Sequence, residues 1–563
     1  MRYVLTEYLS SLKEDGELDS FVTELLQSMK YIPLTKIQKG RQYGVDLPAI
    51  GTDDDGQRKL FLFVIKQGNF SRRNWDSGHE NDIRPSIMEI FDVYLNTRIQ
   101  PSHKSLPIKI VVCCNGDKEL AVEETWAQFI NNNSKENIEF DFWGVKKLVQ
   151  EALSYQMNED ILSDDLLLTF KRALSFIDLP DYDLSHFYSF LNSLLPQDET
   201  NNLSEKKVIK RLRLVNLCQS LVSSWCEKSN NLKPSYIASE RIVLATYNWL
   251  LNNSFIEKEK VILEFYSILQ NWRLKNHKYA EKVVKYTLQK DGLSIGVHNH
   301  DEYCLTTFEQ IGIISMMGCF ELWDCSLALT GKREHHINHA QYAYDNAEGY
   351  ANALKFLIEN NPSSLNPRYD EHCIEINLGL ILLYETGLFG VAINWLKNII
   401  DYLMLNVRFR TFFPLFNSDI TKLGTETAKE EKSSILVVLL GEWCLVLRQL
   451  SYYQSLRSFL KDAMPELNLQ LWFPDKETEK LLCVADASKG SGSTMTGINI
   501  PEDHLRQEMY IAEEREYINE EKSMGYYKHH LLFMPLLSSR HFRTYPFPNS
   551  WRGYLRTNFC FKN

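Results

Sequence analysis

The sequence predicts a mixed α/β domain at the N-terminus, followed by a much larger all-helical region. Strand-like apolar runs are confined to about the first 155 residues, where they alternate with segments of helical periodicity. From residue 184 to residue 485 apolar residues recur at helical spacing, and short polar turns separate the segments. This change in periodicity predicts a multidomain chain.

Composition narrows the class of protein. The chain has 563 residues, of which 44% are hydrophobic and 24% charged, as in ordinary globular proteins. Its net charge of -11 means that any nucleic-acid site would be a local basic patch. Eleven cysteines without a CxxC pair predict reduced thiols and a cytoplasmic location. We expect no membrane span, because charges and glycines interrupt the longest apolar stretch, residues 376–400.

The apolar pattern of residues 1–155, the N-terminal domain, predicts an ordered alternation of helices and strands. The order is helix, three strands, helix, strand, helix, strand, helix. The predicted helices are 18–29, 82–95, 119–130 and 145–152, and the predicted strands are 31–37, 45–50, 60–65, 107–114 and 138–143. Such an order predicts an α/β sandwich built on a mixed sheet.

An acid and a lysine occupy related places on two neighbouring strands. Asp46 lies near the start of one strand and Lys66 directly follows the next, so a hairpin can bring them to one sheet edge. A carboxylate there can hold a divalent cation, and a lysine can stabilise a developing negative charge or orient a water. We therefore predict Asp46 and Lys66 as catalytic residues.

In element order and motif this domain resembles the PD-(D/E)XK nuclease superfamily, in particular the Mrr-like restriction-endonuclease domains of prokaryotic defence proteins. The matching segments are FVTELLQSM, GVDLPAIG, LFLFVIKQG, PIKIVVCC and IEFDFWGVKKL, and together they cover about the first quarter of the chain. The resemblance implies a restriction-endonuclease-like fold that cuts DNA with Mg²⁺ or Mn²⁺. It makes Asp46 the first metal-binding acid, the Ile65 carbonyl a further ligand, and Lys66 the group that assists the attacking water.

The sequence departs from this family at Val64, where relatives have Glu, Asp or Gln. Valine cannot bind a metal, so a replacement acid is needed for activity. Some relatives take this acid from the following helix, which here indicates Glu89, with Asp82 and Glu80 behind it. The opening helix offers Glu24, where relatives often place an accessory acid. The alternative is an inactive nuclease fold that serves as a binding platform.

Basic and aromatic residues follow the strand that ends at Lys66. Arg72, Arg73 and Trp75 lie in the polar segment GNFSRRNWDSGHE. They can contact a phosphate backbone and stack on a base, which makes them candidate nucleic-acid-binding residues. The alternative is a solvated loop with one packed tryptophan.

The helical region weakly resembles tetratricopeptide-type repeats. Residues 156–183 are predicted as an acidic linker, and residues 184–485 as an α-helical array. The segments LGLILLYETGLFGVAINWL and LVVLLGEWCLVLRQLSYYQSLRSFL each suggest two helices joined by a short polar break. Without a fixed 34-residue period, the resemblance implies only a helical array that holds a protein partner on a concave face.

Two further features leave alternatives open. His335, His336 and His339 include an i, i+4 pair that suits a metal site, but they also suit a polar helix start. Residues 486–563 comprise a glycine-rich linker expected to be mobile, an acidic helix and a basic, aromatic C-terminal segment. That last segment suits nucleic-acid contact, or it packs on the acidic surface of its own helical domain.

The sequence thus predicts a metal-dependent DNA endonuclease that acts as an effector, with the helical region sensing or binding a partner. The prokaryotic antiviral setting is implied by the resemblance alone. The alternative that Val64 favours is a scaffold or adaptor with a degenerate nuclease fold. A ribonuclease of the same fold is a third hypothesis. Homo-oligomerisation is left open.

Overall fold

The computed structural model describes residues 2–34, 43–135, 137–156, 164–177, 179–196, 203–330, 334–409, 413–414, 433–469, 472–474, 479, 492–494, 503–506, 508, 524–544, 551–552 and 555. The chain forms two compact units. The first comprises Met1–Ala238 and Glu257–Asn271, and the second comprises Ser239–Ile256 and Trp272–Asn563.

The first unit contains a five-stranded mixed sheet in the order β1-β2-β3-β4-β5. The strands are β1 (Ile32–Pro33), β2 (Leu47–Thr52), β3 (Arg58–Lys66), β4 (Ile108–Cys114) and β5 (Ile138–Trp143). β1, β2 and β3 pair antiparallel, whereas β3, β4 and β5 pair in parallel. The sheet confirms the predicted α/β domain, while its restriction-endonuclease-like identity stays a prediction.

Helices cover both faces of the sheet. The helices of this part are α1 (Arg2–Ser11), α2 (Asp19–Ser28), α3 (Arg72–Trp75), α4 (Ile83–Glu89), α5 (Leu95–Thr97), α6 (Leu120–Asn133) and α7 (Val145–Tyr155). Leu62 and Val64 of β3 share a buried core with residues of α4 and α6. The intervening Phe61 and Phe63 contact the rings of Tyr31 and Trp143 instead, as the twofold alternation of a strand requires.

Several observed helices were not predicted individually from the sequence. Among them are α1, α3 in the polar segment after β3, and α8 (Asp164–Ile177), whose 14 residues cover half of the expected linker 156–183. α8 packs against α9 (Ser185–Leu194), with the rings of Phe170 and Phe190 4.8 Å apart. Residues 164–177 of the expected linker therefore form part of the folded structure.

The predicted all-helical region is also observed. Its helices are α10 (Glu205–Lys228), α11 (Leu232–Asn252), α12 (Glu259–Thr287), α13 (His300–Leu329), α14 (Glu334–Asn360), α15 (Cys373–Glu385), α16 (Phe389–Arg408), α17 (Ile435–Val446), α18 (Leu450–Ala463), α19 (Gly525–Lys528) and α20 (Met534–Phe542). α12 is one continuous helix of 29 residues. Short strands β6 (Trp472–Pro474) and β7 (Gly492–Thr494) pair antiparallel. β6 lies within the range 184–485, so the all-helical prediction is wrong there, and β7 lies in the expected linker. Most of the expected acidic helix lies outside the described residues.

One helix among the described residues, α13, is long and apolar enough to cross a membrane. However, 89% of its apolar window is buried within the protein. It packs against α14 and α15, in the manner of a core helix.

The C-terminal segment packs into the second unit through arginines. Three of them pair with glutamates that are at most 2% exposed. The pairs are Arg540 with Glu240, Arg543 with Glu375, and Arg552 with Glu442. Aromatic contacts accompany them, since the rings of Trp551 and Trp443 stack 5.2 Å apart. These contacts agree with the alternative in which the segment packs on its own helical domain.

Candidate functional site

A break between α1 and α2 brings an acid to the end of β3. Glu14 begins a five-residue kinked segment, Glu14–Leu18, in which Asp15 and Gly16 leave the helical conformation and Gly16 has a φ of +80°. Glycine adopts this left-handed conformation without the steric penalty of a side chain. As a result the Glu14 carboxylate accepts a hydrogen bond from Lys66 Nζ at 2.8 Å and one from the Gln67 N–H at 3.3 Å.

Asp46 lies at the entrance to β2 and is tied to β3 by its backbone and its side chain. Its N–H donates to the Phe63 carbonyl at 2.9 Å, and its Oδ2 accepts from the Ile65 N–H at 2.7 Å. Burial raises the pKa of Asp46 to about 6, although the Lys66 ammonium and the Ile65 N–H act in the opposite direction. A buried carboxylate at this place is therefore held close to a lysine.

Lys66 is the shared neighbour of the two acids. Burial would lower the pKa of Lys66, but the nearby Asp46 and Glu14 carboxylates raise it above its ordinary value. The structure thus brings together the predicted pair Asp46 and Lys66, and it adds Glu14. The catalytic roles of Asp46 and Lys66, and the ligand role of the Ile65 carbonyl, stay predictions.

The family position at Val64 contributes no polar group. Its side chain is fully buried in the apolar core between the sheet and α4 and α6. A carboxylate at this position would have to be accommodated among apolar side chains, which is costly for a charged group. Any replacement acid must therefore come from outside β3.

Glu24, the expected accessory acid, has other partners. Its Oε1 accepts from Asn216 Nδ2 of α10 at 3.3 Å. Burial raises the pKa of Glu24 to about 7, and the carboxylate of Glu264 also raises it, whereas Arg213 lowers it. These partners belong to α10 and α12, and a metal-binding role for Glu24 stays a prediction.

Glu89, the expected replacement acid, is the last residue of α4 and is half-buried. α4 passes close to the segment that leads into β2, because a Cβ on Gly44 would lie 2.0 Å from the Ser86 carbonyl oxygen. A metal-binding role for Glu89 stays a prediction. Asp82 accepts from the backbone of Ser77 and His79, and so closes the loop before α4.

The predicted nucleic-acid residues divide into two kinds. Arg72 and Arg73 are exposed on the short helix α3. Trp75 is only 4% exposed and packs against the rings of Trp126 and Phe129 at 5.6 and 5.0 Å. Base stacking needs an accessible ring, so the stacking prediction for Trp75 is wrong and the packed-tryptophan alternative describes it.

The side chains near Lys66 can be compared with the ligands that a Mg²⁺ site requires. Among the described residues there is no group of three or more His, Cys, Asp or Glu side chains placed to hold a metal ion. Asp46 and Glu14 are two carboxylates beside one lysine, and Mg²⁺ commonly uses one or two protein carboxylates together with waters. This pair fits the lower limit of a Mg²⁺ site. His339 pairs instead with Asp324, with Nε2 and Oδ2 2.9 Å apart.

Sequence reasoning did not find Glu14, because this residue lies in a turn without apolar periodicity. A usable signal was present, since Glu14-Asp15-Gly16 places acids beside a glycine between two amphipathic segments. Comparison of the chain with protein-family models, with curated proteins and with solved structures found no match.

Proposed function

We propose that the first unit is a metal-dependent phosphodiester hydrolase that cuts DNA. The single observation that carries this proposal is the grouping of Asp46, Lys66 and Glu14 at the end of β3. Clusters in which burial and charge partners shift the pKa values of acids and bases are typical of functional sites.

Each residue has a separate task in this proposal. Asp46 and Glu14 would hold the cation, which when bound would supply positive charge to polarise the phosphate and activate a water. Lys66 neutralises the negative charge that develops on the phosphate oxygens. Arg72 and Arg73, exposed just beyond β3, contact the phosphate backbone on either side of the cut.

A scaffold function is the second candidate, and Val64 favours it. Its buried side chain leaves the position of the family acid without a ligand, and no three-residue ligand group occurs in the described part of the chain. In this case the α/β domain binds a partner without cutting it. We further propose, on the resemblance alone, that the hydrolase belongs to a cytoplasmic antiviral system. There the helical region would bind a protein partner.

The deciding experiment incubates the full chain with supercoiled plasmid DNA in Mg²⁺, in Mn²⁺ and in EDTA, with a structured RNA as a parallel substrate. The hydrolase proposal expects cleavage that depends on the metal and is lost in Asp46→Asn. Cleavage of RNA alone would replace DNA by RNA as the substrate. No cleavage of either substrate in either metal would reject the hydrolase in favour of the scaffold.

Matched glutamine substitutions identify the second acid. Glu14→Gln is expected to lower the cleavage rate about a hundredfold, a size typical of losing one charge-stabilising group. Glu24→Gln is the control, because Glu24 pairs with Asn216 and not with Lys66. If Glu89→Gln abolishes cleavage while Glu14→Gln does not, α4 supplies the acid.

A further inference from the structure

A buried asparagine lies at the end of β4. Asn115 follows this strand directly and is only 1% exposed. Its Nδ2 donates to the Leu9 carbonyl at 2.9 Å and to the Leu12 carbonyl at 2.8 Å. Its Oδ1 accepts from the Gly68 N–H at 2.6 Å. A buried amide is costly unless it is hydrogen-bonded in this way. Asn115 thus joins the end of α1 to the loop that follows β3.

The α1 side of this contact leads directly to Glu14. Carbonyls at the end of a helix lack partners within the helix. Asn115 donates to two such carbonyls, and the second belongs to Leu12. Only Lys13 lies between Leu12 and Glu14, and the Lys13 N–H donates to Glu17 Oε2 at 3.0 Å. The asparagine amide therefore fixes the point from which the chain enters the segment that carries Glu14.

The β3 side of the contact leads directly to Lys66. Gly68 has a φ of +86°, a left-handed conformation that glycine adopts without strain. Its neighbour Gln67 donates an N–H to Glu14, and Lys66 Nζ donates to the same carboxylate. Because Asn115 holds the Gly68 N–H, it also fixes the point where the chain leaves these two donors.

The loop that carries Asn115 lies directly against the loop after β3. A Cβ on Gly116 would lie 2.3 Å from Asn69 Oδ1, so this close approach requires glycine. Asn69 Oδ1 accepts from the Asp117 N–H at 3.1 Å, and the Phe70 N–H donates to the Asp117 carbonyl at 3.0 Å. These contacts keep Asn115 in a fixed place relative to the end of β3.

The ion pair between Glu14 and Lys66 does not hold itself in place. The two residues are 52 positions apart in the chain, and the Glu14 side chain is 39% exposed. An ion pair with that exposure gives little stability, because it must order two long side chains against solvent. A fully satisfied buried amide is rigid by comparison. Asn115 is the buried side chain that links the backbone on both sides of this ion pair.

We propose that Asn115 is a positioning residue, which places the Glu14 carboxylate against the Lys66 ammonium without touching cation or substrate. The inference rests on the proposed hydrolase function for its effect on cleavage, whereas the placement of Glu14 can be measured without cleavage. Misplacing a group by about 1 Å can slow a reaction roughly a hundredfold. A neutral amide outside the reacting groups can therefore control the rate.

The first test measures the placement of Glu14 in the full chain without DNA. Lysine amines are acetylated with limiting acetic anhydride, and mass spectrometry gives the labelling of Lys66 relative to that of the exposed Lys30. Asn115→Ala is expected to raise this ratio severalfold, because the Glu14 carboxylate no longer holds the amine. Glu14→Ala should raise it equally, and the double variant should raise it no further. An unchanged ratio in Asn115→Ala, or a further increase in the double variant, would overturn the proposal.

Asn133→Ala is the matched control. Asn133 also uses its amide at the end of a helix, where Nδ2 donates to the Phe129 carbonyl at 2.8 Å. It precedes the start of β5, whereas Lys66 ends β3, so the two lie at opposite ends of parallel strands. We expect this variant to leave the labelling of Lys66 unchanged. An increase as large as that from Asn115→Ala would mean that Lys66 responds to general loosening of the domain, and the proposal would fail.

The second test measures cleavage of duplex DNA in Mg²⁺. Asn115→Ala is expected to lower kcat by between about tenfold and a hundredfold. KM should stay within about twofold, because the exposed Arg72 and Arg73 are retained. In the double variant with Glu14→Ala the loss should equal that of Glu14→Ala alone. A wild-type kcat in Asn115→Ala, or a loss that multiplies with that of Glu14→Ala, would refute the positioning role and leave the hydrolase standing.

The two proposals fail in different ways. If the wild-type chain cuts neither DNA nor RNA, the hydrolase is rejected, and the labelling of Lys66 alone decides whether Asn115 places Glu14. If the wild-type chain cuts DNA and the labelling ratio is the same in Asn115→Ala, the hydrolase stands and the role of Asn115 is rejected.

Asn115→Ser separates placement from folding. Serine retains a hydroxyl that can donate one hydrogen bond and accept another, and water can fill the remaining space. We expect its labelling ratio and kcat to lie between those of the wild type and Asn115→Ala. Thermal unfolding checks that each variant is folded, and Asn115→Ser takes the place of Asn115→Ala in both tests if the alanine variant is not. A lower Tm without any change in labelling or kcat would make Asn115 a purely structural residue and refute the proposal.

Discussion

The two ends of β3 carry two lysines in contrasting surroundings. Lys59, near the start of the strand, is 1% exposed and lies 2.6 to 2.8 Å from three carboxylates. They belong to Asp53, Asp55 and Glu139. Lys66, at the other end, donates to Glu14 and lies near a single buried acid, Asp46. Lys59 is therefore surrounded by carboxylates, whereas Lys66 on the same strand is only partly surrounded by them.

The pKa values of the partner acids express this contrast. Burial would raise the pKa of Asp53, but hydrogen bonds from Lys59 and Lys109 outweigh it and lower the pKa to about 2. Burial dominates at Asp46 and raises its pKa to about 6. A carboxylate with a lowered pKa stabilises the fold through its ion pairs, whereas one with a raised pKa is held in an unfavourable charged state at neutral pH. Functional sites commonly sacrifice stability in this way.

The largest expected effect is that of Lys59→Met. Removing one partner from a buried ion pair typically costs about 3–5 kcal/mol, and the lower end applies here because Asp53 is left buried while Asp55 and Glu139, 44% and 52% exposed, stay hydrated. We expect the free energy of unfolding of the first unit to fall by about 3 kcal/mol, measured by native-state hydrogen exchange of the β3 and β4 amides.

Lys66→Met is the matched control for that variant. It should reduce the same free energy of unfolding by less than half as much, because Asp46 can take up a proton when its lysine is lost. Equal losses from the two substitutions would show that the two ends of β3 do not differ in this way.

The second effect is a pH dependence of opposite sign at the two ends. Asp46 has a raised pKa, so the folded state binds the proton more tightly than the unfolded state does. Its contribution favours folding at low pH and is lost as the pH rises from about 4 to about 6, by roughly 2 kcal/mol. Asp53 has a lowered pKa, so its contribution is present above pH 4 and is lost as the pH falls towards about 2.

Asp46→Asn separates the two contributions. Asparagine is neutral and can still accept from the Ile65 N–H, so the variant is expected to be more stable than the wild-type protein at pH 7 and equal to it near pH 4. Urea midpoints measured across this range provide the check. A variant less stable than wild type at pH 7 would mean that Asp46 is a structural ion-pair partner like Asp53.

The smallest expected effect is that of Glu14→Gln on stability. The side chain of Glu14 is 39% exposed, and partly exposed ion pairs contribute less than about 1 kcal/mol. The loss should shrink further at high salt, since salt screens exposed charges. A loss as large as that from Lys59→Met would make Glu14 a structural residue and weaken its assignment to the site.

The sequence predicted the parts of this site that follow from periodicity. The strands around Asp46 and Lys66 have clear apolar runs, and the hairpin between them brings both residues to one sheet edge. The predicted order of strands in the chain was also correct. These features depend on local patterns that single sequences contain.

The parts that were missed depend on tertiary contacts. Glu24 was correctly placed on a helix, but its partner Asn216 lies almost two hundred residues away, and no local pattern indicates that contact. Glu14 was missed because its position depends on the backbone of Gly16, which breaks the helical periodicity. Trp75 follows two arginines in a polar segment, so its burial against Trp126 could be known only from the packing of α6.

The pairing of Arg540, Arg543 and Arg552 with buried glutamates has a consequence for biosynthesis. The glutamates lie on α11, α15 and α17, all of which leave the ribosome before these arginines are made. Burying these carboxylates without their guanidinium partners is strongly unfavourable, so the three helices complete their packing only after residues 540–552 have been made. A chain cut short before residue 540 would therefore be a substrate for chaperones and proteases.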